Sequence, residues 1–465
     1  MKNILILSLC LLFTVINYGQ TNLGTNSGTV GLNGTFIGQN AGAVNTAARN
    51  TFLGHNSGFV NTTGQFNAFL GAFTGRYNTT GKNNLFSGAM AGFRNTIGNS
   101  NTYVGAYAGY DGEESRQNTM TGYTSGFRNL GHNNTFYGFG SGRENTTGGG
   151  NIFIGFNAGR NSSTASNNLA VGVNALIDVG TGSNNSALGL NAGASVTTGT
   201  HNTFLGHQSG RDLTSSSFNV FVGGFSGFNV ETGIGNVFSG YYAGGEITTA
   251  HYNTAIGHIA GRESTSGNYN TYIGGLAGRF NTIGTLNTFV GGRAGQNNIL
   301  GDRNTFIGES SGMNNTGSSN TFLGYRAGFN ETGSSKLYID NSSAAIPLIY
   351  GDFASNQVGI NTKTIPSDYA LGVQGKIITT EVRVLLAGDW PDYVFAEEYD
   401  LMPIEELEEF IQDNKHLPDV PSSNDIETQG GHDIGDMNKI LLKKVEELSL
   451  YVIQLKQELD ALKNK

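Results

Sequence analysis

At 465 residues the chain is long enough for two or three ordinary domains, yet 71 glycines and a charged fraction of only 13% do not describe ordinary domains; a compact enzyme carries about 7% Gly and about 25% charged residues. The net charge of −9 leaves no basic surface for nucleic acid or an anionic membrane. Such a composition is either a solvated low-complexity tract or repetitive β-structure, and 28 Phe with 19 Tyr, regularly placed, decide for the second.

The chain opens on a leader. Lys2 supplies a positive start, Ile4 to Ile16 form an apolar run too short to span a bilayer, and small Gly19 before Gln20 is the expected cleavage point. Residues 1–19 therefore read as a signal peptide, and the protein as secreted, extracellular or held at the cell surface. The one cysteine, Cys10, lies inside this leader, and Leu9 stands where lipidation needs a small residue. The mature chain then has no thiol, which excludes disulfides and thiolate metal sites together. No later stretch is long and apolar enough for a transmembrane helix, so a direct transmembrane anchor is not expected.

From residue 20 to 335 one unit recurs. Asn50-Thr51-Phe52-Leu53-Gly54 returns at Asn67 with Gly71, at Asn84, Asn101, Asn118 and Asn134, then on to Asn287 with Gly291 and Asn320 with Gly324. The spacing is seventeen, slipping to sixteen at a few joints and to fourteen between Gly24 and Gly38. A second glycine follows the first by four, as in Gly54 and Gly58, and Leu176 breaks that column. The period, N-T-F-[ILV]-G-x-x-[AS]-G-x-x-N-T-T-G-x-x, is too short for an independent fold and long enough for one coil of a parallel β-solenoid. Each coil is expected to hold a strand at its Asn-Thr-Phe-Ile, a turn through the glycine pair, a second short strand and a return turn. Stacked asparagines should form an amide ladder, and about nineteen coils at about 4.8 Å each extend on the order of 90 Å. All six prolines lie at 347 or beyond, as expected if every repeat N–H donates to a neighbouring coil.

The adjacent apolar pair says more than the period does. Successive strand residues point to opposite faces, so Phe52 and Leu53, Phe204 and Leu205, or Phe306 and Ile307 cannot share one interior. One column fills the core. The other forms an outer stripe, interrupted at Ser87, Thr121 and Ser239, that should be buried against sister chains.

These cores, such as Asn287-Thr288-Phe289-Val290-Gly291 with small Ala294 three positions on, resemble the head repeats of trimeric autotransporter adhesins of the YadA type, over about residues 21–335. The resemblance implies a β-roll, a homotrimer and an adhesive function. Family heads run at fourteen or fifteen residues per turn, and the membrane-anchoring β-barrel that ends that family is missing from this sequence.

After Ser335 the period stops and proline and charge appear. Residues 336–388 read as a connector of short strands (Leu337 to Asp340, Leu348 to Tyr350, Val358 to Ile360, Ile377 to Val384), and residues 389–432 as a small α+β module. In that module Pro403 opens an amphipathic helix over 403–412 with Ile404, Leu407 and Ile411 on one face. From 433 to 465 a heptad pattern predicts a coiled coil. Ile434, Leu441, Leu448, Leu455 and Leu462 take one core position; Asn438, Val445, Val452 and Leu459 take the other, with Asn438 setting register. A single helix packed on its own domain is the alternative. The stretch with Gly375-Lys376-Ile377, Asp389-Trp390-Pro391-Asp392-Tyr393-Val394-Phe395 and His416-Leu417-Pro418-Asp419-Val420-Pro421-Ser422 resembles a module ending many secreted repeat proteins of Bacteroidetes. It broadly resembles the trimeric chaperones of phage tail fibres too, but without the Ser-Asp-x-Arg-Leu-Lys run of those that cleave themselves.

No catalytic, metal or cofactor site is expected. His55, His207 and His258 share one variable turn position far apart along the chain, and His416 reads as a helix-end residue. The coils carry too little Asp for calcium repeats and no paired carboxylates for glycoside hydrolysis. The Asn-x-Thr triplets are the repeat consensus rather than glycosylation signals. The expectation is an adhesin-like trimeric fibre whose partners are its own copies and a surface ligand, glycan or protein. Tyr107, Tyr110, Arg128 and Tyr241 are candidate contacts. The alternatives are an ice-binding solenoid using its threonine columns and a tail-spike-like enzyme cutting glycans.

Overall fold

The computed structural model describes residues 21–28, 33–385 and 390–464; the leader, Cys10 and Asp389 lie outside them. The chain divides into two compact units, Met1–Gly375 and Lys376–Lys465.

In the first unit the repeat folds as a parallel β-solenoid. Twenty strands, from Thr21–Leu23 (β1) to Lys336–Ile339 (β20), stack one per coil, and identical repeat positions face each other: Thr51 opposite Ala68, Phe52 opposite Phe69, Leu53 opposite Leu70. From Thr35–Ile37 to Thr321–Leu323 each strand is three residues long with only its middle residue buried. The second strand expected in each coil is instead a run of turns. Asn56 at φ 52° and Gly58 at φ 54° take left-handed conformations and break any extended run there. Neighbouring coils still bond through this run, Gly58 N–H to Thr74 O at 2.9 Å and Val60 N–H to Arg76 O at 3.1 Å.

The buried middle residues form the core. Phe52, Phe69, Phe86 and Tyr103 stack at 4.8, 4.9 and 4.7 Å, almost parallel, and Phe289, Phe306 and Phe322 do so at 4.9 and 4.7 Å. This offset stacking of rings is favourable beyond the area it removes from water. Two glycine columns make room for it. Gly54, Gly71, Gly291 and Gly324 sit at φ between 118° and 140°, where a side chain would run into the next coil's backbone. Gly58 lies against the ring, and a Cβ there would stand 2.6 Å from Phe52. The G-x-x-[AS]-G signature is thus a packing requirement, with the small Ser57 or Ala91 also buried beneath the turn.

The asparagine column is the expected ladder. Asn50 accepts from the Asn67 N–H at 2.9 Å and donates to Gly64 O at 2.7 Å; Asn287 and Asn320 repeat this with Asn304 and Gly301, and with Lys336 and Gly333. Every such amide satisfies a buried N–H and a buried C=O of the next coil, groups that are costly to leave unpaired.

The exception at Leu176 has a packing reason. In that coil Ala170 replaces the core aromatic, and the fully buried Leu176 fills the space, with Val179 and Val196 standing where other coils have asparagine. Leu176→Gly should destabilise these coils by about 3 kcal/mol or more. Ala170→Phe alone overpacks them, and the double variant should recover most of either loss. Hydrogen exchange resolved over residues 150–205 measures all three, because a solenoid opens locally.

Beyond β20 the sheet folds back. Ile349–Asp352 pairs antiparallel with β20, Gln357–Ile360 antiparallel with it in turn, and Leu371–Val373 parallel with the latter. The predicted strand from Ile377 to Val384 does not form in the single chain. Its β-branched residues have no neighbouring strand among the described residues, and β-propensity needs cross-strand neighbours to be realised.

The second unit is helical rather than α+β among its described residues. A 3-10 turn, Pro391–Phe395, precedes helices Ile404–Asn414 (α1), Ser423–Gln429 (α2) and Ile434–Lys463 (α3). Ser422 and Asp425 close α2 with a reciprocal capping box. Pro403 stands at the head of α1 as expected. The heptad residues all fall on α3, 30 residues long.

Candidate interaction surfaces

The solenoid presents two chemically distinct sides. On the strand side both flanking residues of every three-residue strand point outward. In the eighteen strands from Thr35–Ile37 to Thr321–Leu323 no outward position carries a charged residue. One outward column is rich in threonine (Thr51, Thr102, Thr203, Thr305) and the other is aliphatic: Leu53 is 43% exposed, and Leu205, Ile256 and Ile307 are similar. The greasy stripe read from the Phe-Leu pairs is therefore present along the coils.

Charge sits instead on the turns, most of it on the turn after the second glycine. Arg76 lies against Phe59, Phe73, Tyr77 and Phe93, Arg211 stands 3.7 Å over the Phe228 ring, and Arg262 is 4.9 Å over Tyr242. Carboxylates on the same edge pair with these or adjacent cations: Asp111 with Arg94, Glu144 with Arg128, Glu246 with Arg262. Residues 21–335 contain thirteen Arg and a single Lys, Lys82. Arginine is suited here because its flat guanidinium continues a ladder of rings while keeping its charge at the rim.

Of the expected contacts, Tyr110 and Arg128 lie on this turn, and Tyr107 and Tyr241 lie between the two glycines of their coils. Tyr110 is sandwiched between Phe93 and Phe127 at 5.0 and 4.9 Å, and Tyr107 packs across Tyr110 and Tyr123. Tyr241 joins a second cluster with Phe225, Tyr242 and His258. These aromatic clusters were invisible to a column-by-column reading because the position varies; the signal was aromatic residues recurring seventeen apart at that variable position.

The histidines pack as aromatic rings. His55 meets Phe73 edge-on at 5.1 Å, His207 meets Phe225 likewise at 4.9 Å, and His416 closes on Phe410 after α1. Among the described residues no three His, Cys, Asp or Glu side chains converge as metal ligands. Asn61, Asn78 and Asn145, which head Asn-Thr-Thr triplets, are fully buried with their amides bonded inward.

The far end of the stack is closed by a polar cluster. Tyr338 donates to Glu331, and Lys363 donates to Glu331 at 3.1 Å while lying over the Tyr338 and Tyr350 rings. Burial alone would raise the Glu331 pKa, but hydrogen bonds from Tyr338, the Gly333 N–H and Lys363 together hold it below the usual carboxylate value. A depressed carboxylate stabilises the fold above its unfolded pKa and ceases to do so as the pH falls through the folded value. The last coil should therefore hold from neutral pH to about 4.5 and loosen progressively below it. In Glu331→Gln that acid dependence of amide protection at residues 320–340 should vanish.

In the second unit the polar flank of α3 is covered around Lys443 to Glu447, and its apolar stripe is open. Lys443 and Lys444 reach Asp419 at 2.9 and 3.2 Å, Tyr451 donates to Met402 O at 2.6 Å, and Tyr399 donates to Glu447. Burial and the Glu447 carboxylate push the Tyr399 hydroxyl up to about 12. Ile434, Leu441, Val445, Leu448, Val452, Leu455, Leu459 and Leu462 are all exposed, Leu448 by 60%, and Asn438 is exposed with them. The chain matches no protein-family model and no curated protein sequence.

Proposed function

We propose that the protein is an extracellular, adhesin-like fibre protein in which copies of the chain associate side by side, three together, and present a repetitive edge for attachment to a cell, host or substrate surface. The observation that carries this reading is the uncharged outward strand face, repeated over eighteen coils. A soluble monomer usually leaves no apolar patch larger than ~300–600 Å² open to water. The apolar stripe of α3 supports the same reading, since a helix serving only its own domain would bury its leucines and expose its lysines. A parallel arrangement also brings Glu458 of one helix beside Lys463 of the next, flanking the heptad core. Three copies is the number that the YadA-like pattern of the repeats implies. The leader motif supports export, and the Arg-aromatic edge, which lies off the uncharged face, is the surface left to meet a glycan or protein ligand. Many weak contacts per chain, multiplied by three chains, would bind by avidity.

The threonine column of the same face supports a second reading, a flat ice-binding surface. The two uses exclude each other, because a face buried between chains cannot meet ice. The mature protein should sediment at three times its chain mass and show no thermal hysteresis. Leu205→Arg and Ile307→Arg in one chain should leave the coils folded, because both side chains are exposed, while shifting the mass toward single chains. A monodisperse single chain before substitution would sink the proposal.

A further inference from the structure

The open stripe of α3 does not stand alone over its first half. Leu441, Val445 and Leu448 form the floor of a groove of about 430 Å³ whose other wall is Leu407 from α1 together with Leu417 and Pro418 from the loop that follows. Its rim charges are spoken for within the chain: Lys444 pairs with Glu447 at 2.8 Å and with Asp419 at 3.2 Å. What remains to be satisfied is apolar surface. The groove also runs without interruption into Val452, Leu455, Leu459 and Leu462, which lie beyond α1 and its loop on the same 3-4 spacing.

We infer that this groove is the docking site for α3 of a second copy of the chain, so that Leu407, Leu417 and Pro418 belong to the association seam as a wall outside the helix. The occupant has to offer apolar side chains at heptad spacing over the full length of α3, about 45 Å for 30 residues. Among the described residues α3 is the element with that length and period, and its own first half already supplies the matching face. A knob entering between two facing helices meets four side chains of the partner; here it meets side chains of α1 and the loop as well. The loop thereby fixes where along the seam the second helix sits, which a leucine repeat by itself leaves free to slip by a heptad.

The inference rests on the coiled-coil reading above, and two substitutions separate them. Leu455→Asp lies in the heptad stripe beyond the groove; Leu417→Asp lies in the groove wall and off the helix, at a side chain that is 40% exposed in the single chain. Both are made in the full chain, and self-association is followed by sedimentation across a dilution series, with helix content by circular dichroism as the folding control. The expected result is that each raises the dissociation constant about tenfold or more. If Leu455→Asp weakens association while Leu417→Asp leaves it unchanged, the coiled coil stands and the groove inference is wrong. If neither has an effect, the coiled coil itself fails and the groove goes with it. Should Leu417→Asp lower the helix content, Leu407→Asp on the opposite end of the same wall is read in its place by the same criteria.

Discussion

In most coils an aromatic ring, such as Phe52 or Phe306, lies flat against a neighbouring ring while glycine backbone passes across its edge. The cross-section is so thin that a coil with a ring buries at most one other large apolar side chain, as Leu213 in the coil of Phe204. Most other features of the solenoid follow from that constraint. The ring spacing is close to the spacing between paired strands, so sheet hydrogen bonds and ring contacts are satisfied together. The glycine columns persist because a Cβ would occupy the space of the ring or of the next coil. Where the ring is lost, at Ala170 and Ala187, volume returns from another column through Leu176, Val179 and Val196.

So thin a core also dictates what lies outside it. A three-residue strand with one side chain turned in must turn two out, and in this protein those two carry no charge along the coils. Charge lies on the turns, and on the turn after the second glycine arginines stack against rings and pair with carboxylates. Exposed ion pairs of this kind add little stability each; their consequence is a chemical division of the surface into a side suited to burial and an edge suited to water and ligands. The second unit shows a similar division on one helix, with Lys443 and Lys444 partly covered and the Leu441, Leu448, Leu455 and Leu462 side open. Two units unrelated in structure thus leave the same kind of surface unpartnered, which is why self-association is the reading that joins them.

The solenoid class, its period, the inward and outward members of each Phe-Leu pair and the amide ladder were legible in the sequence by itself, because each depends on local stereochemistry repeated at fixed spacing. So was the apolar stripe of α3, since Leu441, Leu448 and Leu455 recur at helical spacing regardless of what they touch. Tertiary structure alone decided the rest. Sharp corners at variable positions such as Phe73, Tyr107 and Ile259, all with φ near 58°, carry no consensus, because the corner is imposed by closing the coil and not by the residue that occupies it. The exchange of Ala170 for Leu176 became intelligible only when both were seen to share one space. The segment Ile377 to Val384 looked like a strand and is unpaired among the described residues, since a strand needs a neighbouring edge to form. The groove wall formed by Leu407, Leu417 and Pro418 was likewise beyond sequence, because contacts between residues thirty apart are made by packing and leave no period to read.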